Sequence, residues 1–398
     1  AAISTRPQMP HSDLIHSFFI IFAGAAGLAT VALFSRQPML IAYILLGCLI
    51  GPFGLSLIDQ NDLLTEIAEI GIIFLLFLVG LDLQPSKLKN MLAESMLTAL
   101  GTSIVFFLMG ASVMLATGFT YTEAWIVGLA VTFSSTILGI KLLPTTALHH
   151  RHIGEMVVSL LLIQDLLAIL AILLLTGLGN DLAGITRSLV AIFVGLPALI
   201  GGAYLMVRFV LLKLISKFDA FHEYIFLLAI GWCLSLASIA EQMGLSFEIG
   251  GFVAGVSLAT SPIAKYIAEH LRPLRDFFLI LFFFSVGASL NVALLQEVWL
   301  AAIVLAVVIL LVKPKVFALL LTLQKEDKDA SKEVGFRLGQ ASEFSLLLSY
   351  IAISNALISS EAAVVLQTAT ILTLIGSSYL VVSRYPSPIA SDPALRRD

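Results

Sequence analysis

Three ionisable residues sit inside stretches that are otherwise apolar: Asp165 in Leu162-Ile163-Gln164-Asp165-Leu166-Leu167, Lys313 directly before Pro314, and Glu343 in Gly339-Gln340-Ala341-Ser342-Glu343-Phe344-Ser345. A charge at the centre of a bilayer costs roughly 2.5 to 3.5 kcal/mol on insertion scales, so it persists where it has a task or a partner. A carboxylate facing an aqueous cavity holds either a proton or a monovalent cation, and competition between the two is the elementary step of an exchange. Oxygen ligands suit a hard alkali cation better than His or Cys; Asp165, the Gln164 carbonyl and the region Ser134 to Thr136 offer them. Burial and a nearby ammonium such as Lys313 act on the carboxylate in opposite senses, which poises it to load and release protons. Each residue also has a structural reading. Asp165 can be a hydrogen-bonded acid between helices, Lys313 can snorkel to the interface, and Glu343 can offset a helix dipole.

The elements that must position these groups follow from composition. Of the 398 residues, 59% are hydrophobic and only 12% charged, and the mean hydropathy is +1.03. Soluble domains carry about 25% charged residues, so the solvent here is lipid. With a net charge of −4 and no basic run, nucleic acid is excluded as a partner. The two cysteines, Cys48 and Cys233, lie in apolar stretches and make neither a disulfide framework nor a metal site. No nucleophile–base or metal-ligand motif points to an enzyme.

A bilayer core needs about 20 apolar residues per helix. Thirteen spans are expected, near 13–34, 38–58, 62–81, 90–117, 122–143, 153–177, 186–207, 221–241, 245–260, 274–290, 297–323, 332–355 and 361–383. This division places eighteen of the 22 Lys and Arg on the side of the C-terminus, from Arg36 to Arg397. By the positive-inside rule the N-terminus is then outside and the C-terminus cytoplasmic. The first span reads as a membrane helix rather than a cleavable leader.

Spans five and twelve carry polar centres, Thr132-Phe133-Ser134-Ser135-Thr136 in one and Gln340 to Ser345 in the other. Such clusters re-satisfy backbone groups freed where a helix breaks inside a membrane; alternatively they permit close helix packing. Seven spans apart, the two cross the membrane in opposite directions, so spans four to six and eleven to thirteen form an inverted pair. Inverted repeats with two broken helices at the midplane are an architecture of secondary transporters. Thr132, Ser134, Ser135, Thr136, Ser342 and Glu343 are the expected crossing residues.

Together with Gly47-Cys48-Leu49-Ile50-Gly51-Pro52, Ala68-Glu69-Ile70-Gly71, Leu75 to Asp82, Phe133-Ser134-Ser135-Thr136, Gln164-Asp165, Phe283-Phe284-Ser285-Val286-Gly287 and Gly339 to Phe344, these features resemble the monovalent cation:proton antiporters of the second superfamily, and within it the Kef-type potassium/proton antiporters. The likeness extends over nearly the whole chain. It implies an all-α polytopic membrane protein with the sodium/proton antiporter-like fold, forming a single transmembrane domain. A core bundle (about 90–177 and 297–383) would move against dimerisation helices (about 13–81 and 186–290 in part). It further implies Asp165 as the ion-binding carboxylate, Lys313 as the core lysine paired with it, a homodimer, and a bacterial inner membrane. Gln164 stands where some relatives have a second acid, so one proton per cation and no net charge movement is expected, with potassium ahead of sodium.

Departures matter too. The segment Tyr266 to Asp276, read as a loop between spans nine and ten, is mixed and net basic, where glutathione-gated relatives carry an acidic regulatory loop. No Gly-rich phosphate fingerprint marks the nucleotide-binding domain that many relatives append, so no cofactor is expected in this chain. The chain starts without Met and stops soon after its last span; a nucleotide, or a cytoplasmic regulatory domain or subunit, would belong to flanking sequence. A potassium efflux channel on the same scaffold and a sodium-coupled organic-anion carrier are the competing readings. His149, His150 and His152 are expected in a solvated cytoplasmic loop, ahead of metal binding or pH sensing, and Glu66, Glu69, Glu241 and Glu248 at the outer interface, ahead of lining an extracellular funnel that attracts cations.

Overall fold

The computed structural model describes residues 11–35, 37, 39–58, 70–74, 76–78, 80–81, 85–143, 152–178, 191–218, 221–245, 247–261 and 263–387. Among them the chain is helical, with no β-strand. Seven helices are long and apolar enough to cross a membrane: Ile15–Phe34, Ser95–Ala116, His152–Ile172, Phe193–Lys217, His222–Gln242, Ala293–Leu323 and Ser360–Arg384. They correspond to expected spans one, four, six, seven, eight, eleven and thirteen. Spans two and nine are the shorter apolar helices Met39–Ile50 and Phe247–Leu258, and span three is described only from residue 70.

Spans five and twelve are each two helices: α5 (Tyr121–Ala130) with α6 (Thr136–Lys141), and α13 (Lys328–Arg337) with α14 (Glu343–Ser354). In chain order the others are α1 (His11–Phe34), α2 (Met39–Ile50), α3 (within 70–81), α4 (Pro85–Ala116) and α7 (His152–Leu178). Next comes α8, whose pieces Leu196–Met206 and Leu212–Lys217 are joined by the π turn Val207–Leu211. The rest are α9 (His222–Gln242), α10 (Phe247–Leu258), α11 (Ala264–Ser289), α12 (Val292–Leu323) and α15 (Ser360–Arg384).

Three boundaries differ most from expectation; one is the end of α8, which runs on to Lys217 where the seventh span is expected to end near 207. Helix α2 stops at Ile50, where Gly51-Pro52 opens a turn region reaching Ile58; proline cannot donate the next helical bond. Helix α11 starts at Ala264, so the segment Tyr266 to Asp276 is helix and not loop. Its apolar residues Ala264, Ile267, Ala268 and Leu271 recur at helical spacing and are buried, while Lys265, Glu269, His270 and Arg272 are exposed. That pattern is an amphipathic helix, hidden from a count of uninterrupted apolar residues.

One apolar core joins α1, α2 and the later half of α11 to α5, α7, α12, α14 and α15; a second joins α3, α8, α9, α10 and the first turns of α11. The pairs α2–α11 and α3–α10 meet backbone to backbone at glycines. A Cβ on Gly287 would lie 2.0 Å from Ile44 O, and one on Gly47 2.1 Å from Phe284 O. Likewise a Cβ on Gly255 would lie 2.0 Å from Phe77 O. With lipid outside, helices associate through such close packing and not through burial from water. Gly287→Ala therefore lowers the melting temperature of the purified protein, since overpacking costs about 1 to 3 kcal/mol. Gly231→Ala, at a helix position with open space around it, leaves it unchanged or raises it; thermal unfolding of both variants in detergent reads the contrast.

Candidate functional site

The first break begins with a well-anchored half-helix. Thr120 and Glu123 form a capping box at the start of α5. The Glu123 carboxylate also accepts from the Ser359 backbone N at 3.1 Å and from the Ser359 hydroxyl, so the same acid holds the residue that caps α15. Loss of one cap costs about 1 kcal/mol. Because two helix starts share this carboxylate, which is 8% exposed, Glu123→Ala is expected to destabilise by about 2 kcal/mol, measured by thermal or denaturant unfolding.

Helix α5 ends at Ala130, residues 133–135 leave the helix, and α6 restarts at Thr136, with the Ser135 hydroxyl accepting from Leu138 N at 3.1 Å. Symmetrically, α13 ends at Arg337 and α14 restarts at Glu343 behind a Ser342–Ser345 capping box. The two breaks are tied to each other. Ser134 Oγ donates to Leu338 O at 2.7 Å, Ser345 Oγ donates to Ala130 O at 2.7 Å, and Gln340 Nε2 reaches Ser135 O at 3.5 Å. Thr132 Oγ1 turns back to Gly128 O at 3.0 Å. These hydroxyls satisfy freed backbone groups, as irregular structure at membrane depth requires.

Lys313 fills the space between the breaks. It is fully buried, and its ammonium donates to Phe133 O (2.8 Å), Gln340 O (2.9 Å), Val131 O (3.2 Å) and Thr132 O (3.4 Å), over the ring of Phe106 at 4.9 Å. The C-terminal end of a half-helix attracts a cation; here the protein supplies that cation itself. Close approach is set by Pro314, against which α13 packs so tightly that a Cβ on Gly335 would lie 2.3 Å from Pro314 O. Lys313 therefore does not snorkel. Nor does it form the ion pair with Asp165 that the resemblance implies: its donors are taken up by carbonyls, and no ion pair joins the two among the described residues.

Asp165 lies on α7, 2% exposed, and accepts from the Thr136 hydroxyl at 3.0 Å (Oδ1) and 3.2 Å (Oδ2). Glu343, 4% exposed, opens α14, which packs against α7. Gln164 is fully buried; its Oε1 accepts from Ser134 N at 3.0 Å, and its Nε2 has no hydrogen-bond partner among the described residues. The structure thus gathers Asp165, Gln164, Thr136, Ser134 and Glu343 around the first break, with Lys313 between both. What this arrangement offers is a buried carboxylate, Asp165, with a hydroxyl beside it and, among the described residues, no ion-pair partner.

The description "Sodium/hydrogen exchanger, transmembrane" matches residues 18–382. The chain belongs to this family. As a family member it is 31% identical over 386 residues to K(+) efflux antiporter 5 of Arabidopsis thaliana, across 93% of this chain and 65% of that protein. It is 31% identical over 385 residues to K(+) efflux antiporter 4 of the same plant, across 93% of this chain and 63% of the relative. The exchanger-family chain thus spans just under two thirds of the length of these curated relatives. The sodium proton antiporter MjNhaP1 from Methanocaldococcus jannaschii, at pH 8, has the same fold, with a TM-score of 0.71, 19% identity, and 93% of this chain and 96% of that one covered.

Several residues of this family member were not legible as partners of the site. Thr373 Oγ1 accepts from Ala341 N at 3.0 Å, and Ser377 Oγ donates to Gln340 Oε1 at 2.9 Å. The signal was available: Gln367, Thr370, Thr373 and Ser377 form a polar stripe at helical spacing along an apolar span. Among the weaker candidates, His152 starts α7 and pairs with Glu326 at 2.8 Å, and Glu241 is exposed after α9 has nearly ended. His149, His150, Glu66 and Glu69 lie outside the described residues.

Proposed function

We propose that this membrane protein is a secondary transporter that exchanges a monovalent cation, potassium ahead of sodium, for protons by alternating access. The observation that carries the reading is Asp165, a buried carboxylate whose hydrogen-bond partner is the Thr136 hydroxyl and which has no ion-pair partner among the described residues. Such a group must hold a proton or recruit a cation, and it cannot hold both. The relatives' names support antiport and potassium as cargo. On this reading α4 to α7 and α12 to α15 form the moving core, the end carrying Lys325, Lys328 and Arg384 faces the cytoplasm, and exchange moves no net charge. The organic-anion reading loses support because the midplane ammonium of Lys313 is committed to four carbonyls.

Proteoliposomes with an imposed pH gradient test the proposal, with potassium, sodium and lithium added in turn. Collapse of the gradient by one of these cations supports it and identifies the cargo. Cation flux without proton movement would instead favour the channel.

A further inference from the structure

Arg337 is the largest fully buried side chain among the described residues, at 2% exposure, and it is a residue that span counting assigns only to the basic flank of span twelve. Its guanidinium holds three separate pieces of chain. Nε and Nη2 donate to Glu333 Oε1 at 2.9 and 2.6 Å within α13. Nη1 donates to Leu142 O at 2.8 Å, at the end of α6. Nη2 also donates to Pro386 O at 2.8 Å, in the segment that leaves α15. Next to it, Arg384 lies 5.0 Å over the Phe336 ring, and the Tyr385 ring lies 5.8 Å from that of Phe336. A planar fork of five N–H groups can serve three directions at once, which a lysine ammonium on a flexible stem cannot reproduce.

These contacts meet at one end of both broken helices. From Leu142 the chain leads back through α6 to Thr136, the partner of Asp165; from Arg337 it leads on to Gln340, whose carbonyl holds Lys313. We propose that Arg337 is a positioning residue that links the segment 385–387 to the end of α6 and α13 together, so that a displacement of this exit segment is passed to both sides of the exchange site. The inference rests on the antiport reading for its transport consequence, and it adds a route by which whatever follows the last span acts on that site.

The test compares wild type, Arg337→Lys and Glu333→Gln, using amide hydrogen exchange followed by mass spectrometry and the apparent KM for the transported cation in proteoliposomes. The expected result for Arg337→Lys is amide exchange at least tenfold faster in peptides covering both 138–143 and 385–387, with α9 unchanged. The apparent KM shifts at least threefold, and Glu333→Gln, which keeps the guanidinium, gives the same pattern more weakly. Faster exchange in only one of the two segments, or an equal rise throughout the protein, overturns the link and leaves Arg337 as a stabilising residue. An unchanged KM with both segments loosened overturns the passage to the site. If Arg337→Lys does not fold, Glu333→Gln alone is decisive by the same criteria. Wild type that moves no protons counts against antiport, and is distinguishable because amide exchange reads the link without transport.

Discussion

Asp165→Asn reduces cation-driven collapse of a pH gradient at least a hundredfold, to the level of empty liposomes, while the protein folds as before. The asparagine keeps the size of the side chain and an oxygen that can accept from Thr136, whose hydroxyl lies 3.0 Å from Oδ1 in the native structure. It removes the one property exchange requires, a group that is either protonated or charged enough to hold a cation. Burying an ion in a medium of low dielectric is costly, so the melting temperature in detergent stays the same or rises. Loss of transport with retained stability identifies a working acid; exchange at the wild-type rate would make Asp165 a structural hydrogen-bond acceptor and end the proposed mechanism.

Lys313→Ala has the opposite profile, with a large loss of stability. Its ammonium serves carbonyls of both breaks, three from Val131 to Phe133 and one from Gln340. Each buried acceptor left without a partner costs about 1 to 3 kcal/mol. The expected fall is at least 10 °C in melting temperature, or failure to purify as a folded protein. A double-mutant cycle with Asp165→Asn decides the reason. If Lys313 mainly balanced Asp165, removing both charges would restore stability; because it binds carbonyls, the two changes are expected to add within about 0.5 kcal/mol. A larger favourable coupling would return the lysine to the carboxylate.

The same residues mark how far the sequence could be read. The breaks were visible because Thr132 to Thr136 and Gly339 to Ser345 are the wrong composition for the middle of an apolar span, and Asp165 was visible because lipid makes an interior acid conspicuous. The partners of Lys313 were not, since backbone carbonyls carry no mark of residue type and become acceptors only once a helix has actually ended at Ala130. Arg337 was hidden for a related reason. An arginine near the end of a span ordinarily snorkels, and only folding brings Leu142 O and Pro386 O within its reach. The start of α11 was missed because an amphipathic helix alternates its faces and never accumulates the unbroken apolar run on which span counting depends.

The lysine between the two breaks also imposes an order on biosynthesis. Phe133 O finds its donor in Lys313, 180 residues further along the chain. At ribosomal speeds of about 5 to 20 residues per second, that interval is roughly 10 to 40 s. For its duration the first broken helix is already made while the ammonium that completes it is not. Until the eleventh span arrives, the nascent chain must satisfy those carbonyls with water, with the insertion machinery or with lipid headgroups.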